Sequence, residues 1–192
     1  MDVLEAIHTR YSAGKMKPDQ VAHELIEKIL SAAVQAPNHF KVRPWRFVVL
    51  TGTGREKLGE AIARSTRTNK PEATEEDLQR DRALPLRAPV VIAVGVDKPA
   101  IPKAKEIENV CATAAAIQNM LLAAHALGLA AIWRTGPSAT DPAIKQFLGW
   151  EADQHLIGFV YIGYPIEPPA PQERPSFEDR TTWLDTAILN LA

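Results

Sequence analysis

A chain of 192 residues with 46% apolar and 23% charged side chains has the makings of one soluble domain with a sizeable core. Its formal net charge of −1, with no strongly basic face visible in the sequence, argues against nucleic acid or anionic membrane as the main partner. Cys111 is the single cysteine, so an intrachain disulfide is excluded and a cysteine-based zinc site is disfavoured; within an alanine-rich helical run it reads as a small buried apolar residue.

The start, Met1-Asp2-Val3-Leu4-Glu5, lacks the basic opening and apolar run of a signal peptide, so a cytoplasmic location is expected. Residues 2–9 read as a short helix running into Arg10-Tyr11-Ser12-Ala13-Gly14-Lys15. A guanidinium beside a hydroxyl suits a cluster of anionic oxygens such as phosphate, since both donate and arginine can do so in bidentate fashion. Taken alone, a solvated arginine at an exposed helix end is the better reading. Pro18 and Asp19 are expected to open the next helix, whose core stripe is Val21, Leu25, Ile26, Ile29, Leu30, Ala33 and Val34. Pro37 ends it. A polar loop with Asn38, His39, Lys41 and Arg43 follows, and Pro44 is expected to hold Arg43 extended before a buried strand from Trp45 to Leu50. Such a loop on a rigid scaffold is a natural place for binding groups, and a plain solvated connection fits it equally well.

Thr51 to Gly54 is a turn, and Arg55 to Arg67 a helix with Leu58, Ile62 and Ala63 inward. Residues 66–87 are the most polar part, either a mobile flap over a cleft or a plain solvated helix and loop. The nearly all-apolar run from Ala88 to Val96 should be a central strand. A long helix from about Lys103 to Leu127 ends at Gly128, with His125 as a satisfied core histidine. Its alanines would suit a packed dimer interface as well as an interior. Ala130 to Gly136 reads as a strand, Asp141 to Gly149 as a short helix, and Gln154 to Tyr164 as the last central strand, with Gly158 and Gly163 marking close backbone approaches. The proline-rich tail after Pro165 is an extended arm. Phe177, Trp183 and Leu184 beyond it are too apolar to stand free and could find a surface on a partner subunit. No Walker loop, dinucleotide fingerprint, metal-ligand spacing or nucleophile elbow occurs.

Four segments, in order, resemble the nitroreductase family of FMN flavoproteins. They are Arg10-Tyr11-Ser12; Ala36-Pro37-Asn38-His39 continuing to Arg43-Pro44-Trp45-Arg46-Phe47; Gly128 through Trp133-Arg134-Thr135-Gly136; and Gly158 through Gly163-Tyr164-Pro165. The likeness spans most of the chain, and its short length and Trp-Arg-Thr-Gly segment are similar to the compact branch of NAD(P)H nitroreductases. The resemblance implies an α+β fold, a central and mostly antiparallel sheet flanked by helices, built as an intertwined homodimer with exchange of C-terminal arms. Residues 1–164 would then be a single FMN-binding domain and 165–192 an arm packing on the partner subunit.

By the same resemblance each FMN lies in the dimer interface. Arg10, Tyr11 and Ser12 map onto the segment that binds its phosphate end. Gln35 and His39 map onto the loop that reaches the flavin, and Trp133, Arg134 and Thr135 onto the turn that also contacts it. A nicotinamide nucleotide would pass near Ala123 to Gly128. Tyr11 stands in place of a second arginine, Gly14 where a basic residue is common, Arg43 where glutamine usually precedes Pro-Trp, and Lys41 where asparagine is frequent. Lys15 and Lys41 are candidates for stabilising the anionic reduced ring. No side chain is assigned a catalytic role and no metal is expected, because the flavin carries the chemistry. The implied activity passes hydride from NAD(P)H through FMN to an electron-poor acceptor such as a nitroaromatic, quinone or activated alkene, by a ping-pong route. A flavin-fragmenting enzyme on the same fold and a non-enzymatic flavin-binding redox sensor are the rival readings.

Overall fold

The computed structural model describes residues 1–167 and 173–184. Helix α1 (Val3–Thr9) begins at a capping box, in which the Asp2 carboxylate accepts from the Glu5 amide at 2.9 Å and Glu5 returns the bond. Helix α2 (His23–Ala33) buries Ile26, Ile29 and Ala33. It starts later than the expected Pro18. The Met16 and Lys17 amides donate to the carbonyls of Arg87 at 3.0 Å and Tyr164 at 2.9 Å, so the chain is held extended there and turns helical only after Ala22.

Besides short 3-10 helices at His39–Lys41, Leu84–Arg87 and Glu178–Arg180, the remaining described elements are β1 (Trp45–Thr51), α3 (Thr53–Asn69), α4 (Glu75–Ala83), β2 (Val90–Val96), α5 (Glu106–Ala126), β3 (Ala130–Arg134), α6 (Pro137–Thr140), α7 (Pro142–Phe147) and β4 (His155–Gly163). The strands form one sheet in the order β1-β2-β4-β3, every neighbouring pair antiparallel. Val90, Ile92 and Val94 of β2 pack on one side with Ile29 of α2 and Ile117 and Met120 of α5. Val91 and Ala93 pack on the other with Leu58 and Ile62 of α3 and Ile144 of α7. Helices cover both faces, so β2 shows no polar alternation and reads as a continuous apolar run.

In β4, Val94 pairs with Gly158 but Gly95 with Leu156, leaving Ile157 as an extra residue in a bulge. The polar stretch 66–87 is mostly helical. Helix α4 packs along α3 with Leu78 buried, and Arg82 bonds Glu75 at 2.7 Å and Glu60 at 3.0 Å. Gly59 permits the approach, since a Cβ there would lie 2.3 Å from the Arg82 carbonyl oxygen.

Cys111, expected inside, is exposed. Helix α5 turns Asn109, Ala112, Thr113 and Ala116 inward, and Cys111 shares the outward face with Ile107 and Gln118. The arm bridges back at Pro165 to Met16, while Phe177, Trp183 and Leu184 remain exposed. Residues 168–172 and 185–192 of the expected arm lie outside the described residues. Among the described residues no helix is long and apolar enough to cross a membrane, and no cluster of three potential metal ligands occurs.

Candidate functional site

Arg10 caps the C-terminus of α1, and its backbone then leaves the helix toward the sheet. Ser12 pairs with Ala131 as a parallel bridge and Ala13 donates to the Ala131 carbonyl, laying this segment along β3. That pairing brings the N-terminal triplet to the strand whose end carries Trp133 and Arg134. The Arg134 guanidinium sits 5.7 Å from the centre of the buried Tyr161 ring, and its Nη2 lies 3.9 Å from where a Cβ of Gly14 would be. The Arg134 Nε is buried and without a hydrogen-bond partner.

A third arginine lies at the Arg10 end. Arg174 donates from Nη2 to the Arg10 carbonyl at 2.6 Å. Among the described residues none of Arg10, Arg134 and Arg174 is paired with a carboxylate. Burial first, and the Arg174 charge second, lower the Arg10 pKa from its ordinary value. Two cations at the Arg10 end, with no paired acid among the described residues, suit an anion with several acceptor oxygens, and the Ser12 hydroxyl two residues on adds a neutral donor. Trp133 and Gly158 shape the neighbouring wall. The Trp133 indole donates to the Ile157 carbonyl at 3.2 Å across the bulge, which works because Gly158, at φ 145°, has no Cβ to meet the ring.

Tyr11 packs its ring edge-on to His125, 6.3 Å between centroids, and burial raises its pKa. Thr135 is exposed just beyond β3, before Gly136 turns the chain at φ 129°. Lys15 and Lys41 are exposed. Gln35 and His39 lie elsewhere. Gln35 lies two residues past α2, donates to the Ser31 carbonyl at 3.3 Å, and borders a groove of about 440 Å³ between α1, α2 and α5. His39 pairs through Nδ1 with Glu108 Oε2 at 3.2 Å and stacks on Phe40. Among the described residues no hydrogen bond, ion pair or ring contact joins these two to the Arg10–Arg134 group. None joins Gln35 to His39 either.

Arg43 corrects an expectation. It has φ 51°, not the extended value that Pro44 favours, because its amide donates to Asn38 Oδ1 at 2.9 Å and closes the loop. Phe40 and Lys41 also have positive φ, at 53° and 54°. The cavity between α3, α4 and α6, about 390 Å³, has two internally paired groups in its lining: Arg80 pairs with Asp77 at 3.5 Å, and Asp141 caps α7 while binding Ser65.

A model described as "Nitroreductase family" matches residues 7–164. The chain belongs to the Nitroreductase family. It is 30% identical over 179 residues to "Putative NAD(P)H nitroreductase YfhC" of Bacillus subtilis (strain 168), covering 93% of this chain and 92% of that protein. To "Putative NAD(P)H nitroreductase YdjA" of Escherichia coli (strain K12) it is 29% identical over 165 residues, covering 86% and 89%. The crystal structure of the nitroreductase-like family protein from Bacillus cereus superposes with a TM-score of 0.84 at 26% identity, covering 96% of this chain and 97% of the other. The nitroreductase α+β fold expected from the sequence is the fold observed. Of the residues that shape the site, sequence reasoning missed Arg174, Tyr161 and Glu108. Gly158 carried a signal, as a glycine inside a strand pattern.

Proposed function

We propose that this nitroreductase-family chain binds FMN and oxidises NAD(P)H, passing the electrons to an electron-poor acceptor such as a nitroaromatic, quinone or activated alkene by a ping-pong route. The observations that support the reading are Arg174 on the Arg10 carbonyl, Ser12 bridged to Ala131 of the strand that ends in Arg134, the buried and unbonded Arg134 Nε, and, among the described residues, no carboxylate paired with any of the three arginines. A phosphate monoester fits that donor set, and the lack of a dinucleotide fingerprint favours FMN over FAD. The nitroreductase with bound FMN from Bacteroides fragilis NCTC 9343, at 25% identity and a TM-score of 0.72, supports the assignment.

Bound flavin would supply the hydride chemistry. Arg10, Ser12, Arg134 and Arg174 would hold its phosphate end, with Tyr11 packed behind them. Trp133 and Thr135 would flank it from the end of β3. Gln35 and His39, set apart in the same chain, would reach the flavin of a second copy, which makes the working form a homodimer. Residues 1–164 would be the domain and 165–192 the arm, with exposed Phe177, Trp183 and Leu184 seated on the partner and a cytoplasmic location for the whole. A chain ending at Tyr164 should then be monomeric or aggregated and carry little flavin; one that stays dimeric and yellow removes the arm from the assembly.

The direct test is the purified protein's absorbance, followed by identification of the flavin released on heating. FMN, with NAD(P)H oxidation accelerated by a quinone, is expected. FAD, or a colourless protein that FMN does not reconstitute, would overturn the assignment.

A further inference from the structure

Phe40 sits where an apolar ring has the least reason to sit. Its backbone is at φ 53° and ψ 13°, a region that residues with a Cβ adopt at a cost and bulky ones rarely. The residue is 47% exposed, so the strain is not offset by burial in the core. Instead the ring lies flat on His39, 3.9 Å between centroids and 11° between planes. His39 is itself fixed from α5. Glu108 Oε2 accepts from the Lys105 amide at 3.0 Å and pairs with His39 Nδ1 at 3.2 Å, tying the turn to the first turn of the long helix. The loop is closed behind it by the Arg43 amide on Asn38. Strained backbone that burial does not offset clusters at functional sites, and here it presents the ring face opposite His39.

We propose that Phe40 is a specificity-determining residue, an aromatic shelf for planar electron-poor acceptors, and that Glu108 positions it through His39. The inference rests on the FMN oxidoreductase reading. The face of a phenyl ring is the negative part of its quadrupole, so it attracts the electron-depleted ring of a nitroarene or quinone and has nothing comparable to offer a compact inorganic acceptor.

The test compares nitrobenzene with ferricyanide as acceptors for the FMN-loaded protein. Phe40→Leu should lower the ratio of kcat/KM for nitrobenzene over ferricyanide about three- to tenfold, through KM, and Phe40→Tyr should keep it. The dissociation constant of 1,4-dicyanobenzene, a planar electron-poor arene that the flavin does not reduce, followed through the flavin absorbance, should rise by a similar factor in Phe40→Leu. Glu108→Ala, which frees His39 without touching the shelf, should move both readouts in the same direction by a smaller factor. Equal losses for both acceptors, or a ratio that does not move, overturn the inference. So does a Phe40→Leu protein that loses its dimer mass by light scattering, since the ring would then be subunit packing. A wild-type protein that holds no FMN fails the oxidoreductase reading; a yellow variant with an unchanged ratio fails the aromatic shelf alone.

Discussion

Around Arg10, Ser12 and Arg134 the backbone is set by the sheet. Ser12 bridges to Ala131, Arg134 ends a strand paired along its length, and the wall behind them is the bulged, buried strand β4. In the loop from Pro37 to Pro44 the opposite holds. Phe40, Lys41 and Arg43 all have positive φ, most of the side chains are exposed, and a handful of side-chain contacts keep the shape: Asn38 with the Arg43 amide, His39 with Glu108, His39 on Phe40. The two regions do different work in the proposed site. An anchor for a charged phosphate gains from donors that cannot move, because preorganised donors lose little on binding. A surface that meets several acceptors gains from being carried on a locally held turn. Strain belongs to the second region, and packing to the first.

The largest expected effect attacks the packed region. A Cβ on Gly158 would lie 2.4 Å from Trp133 Nε1 and 2.6 Å from the Arg134 carbonyl oxygen, at a φ of 145°. Gly158→Ala should cost roughly 2–4 kcal/mol of stability from clash and backbone strain together. Urea unfolding measures it, and a loss below about 0.5 kcal/mol would mean that the bulge is soft after all.

Next comes the phosphate end itself. Arg10→Ala should weaken FMN binding by about 1.5–3 kcal/mol, the value of one charge-assisted hydrogen bond. That is roughly 10- to 150-fold in the dissociation constant, read by fluorescence titration of the apoprotein. An unchanged affinity would take Arg10 out of the site and leave Arg134 and Arg174 to explain.

The strained loop should respond with the opposite sign. Arg43→Gly removes a left-handed penalty of about 1–2 kcal/mol and adds about 0.5–1 of glycine's extra unfolded entropy. A net gain of about 0.5–1 kcal/mol in urea unfolding is expected, with the Asn38 bond retained because it uses the backbone amide. A destabilised Arg43→Gly protein would show that the arginine side chain, not the amide, holds the turn.

The contrast also explains what could be read from the sequence. The strands and long helix were legible because their signal is local: β2 is an unbroken apolar run, and Gly128 closes α5 at φ 76°. The start of α2 was not, since Pro18 and Asp19 carry a helix signal that the Met16 and Lys17 pairings with Arg87 and Tyr164 override. Cys111 was placed inside by composition, although which side of an alanine-rich helix faces in depends on what packs against it. In the site, Arg10, Ser12 and Arg134 came from short motifs. Arg174 could not, because it lies 164 residues from its contact inside a proline-rich stretch with no periodicity. The left-handed turn at 40–43 has no glycine to announce it, and the rule for residues before proline pointed Arg43 the other way.

The smallest expected effect joins the anchored region to a titration. The Thr9 hydroxyl donates to the Glu5 carbonyl at 2.7 Å, so its oxygen is left to accept from His125 Nε2 at 2.8 Å, which favours the neutral ring with its proton on Nε2. Burial first, and the Arg10 charge second, lower the His125 pKa from its ordinary 6.5, with Glu5 acting the other way. A histidine whose folded pKa lies below its unfolded one gives full stability above the unfolded value and loses it as pH falls from there through the folded pKa. Stability of the apoprotein should therefore decline from just above pH 6.5 downward, and His125→Gln should flatten that part of the curve. Loading FMN provides the sharper test. A phosphate dianion beside Arg10 would offset the charge that disfavours the imidazolium, so the His125 pKa should rise on loading, as followed through its C2 proton by NMR. If it stays where it is in the apoprotein, the phosphate is not at the Arg10 end, and the division of labour between the two regions fails.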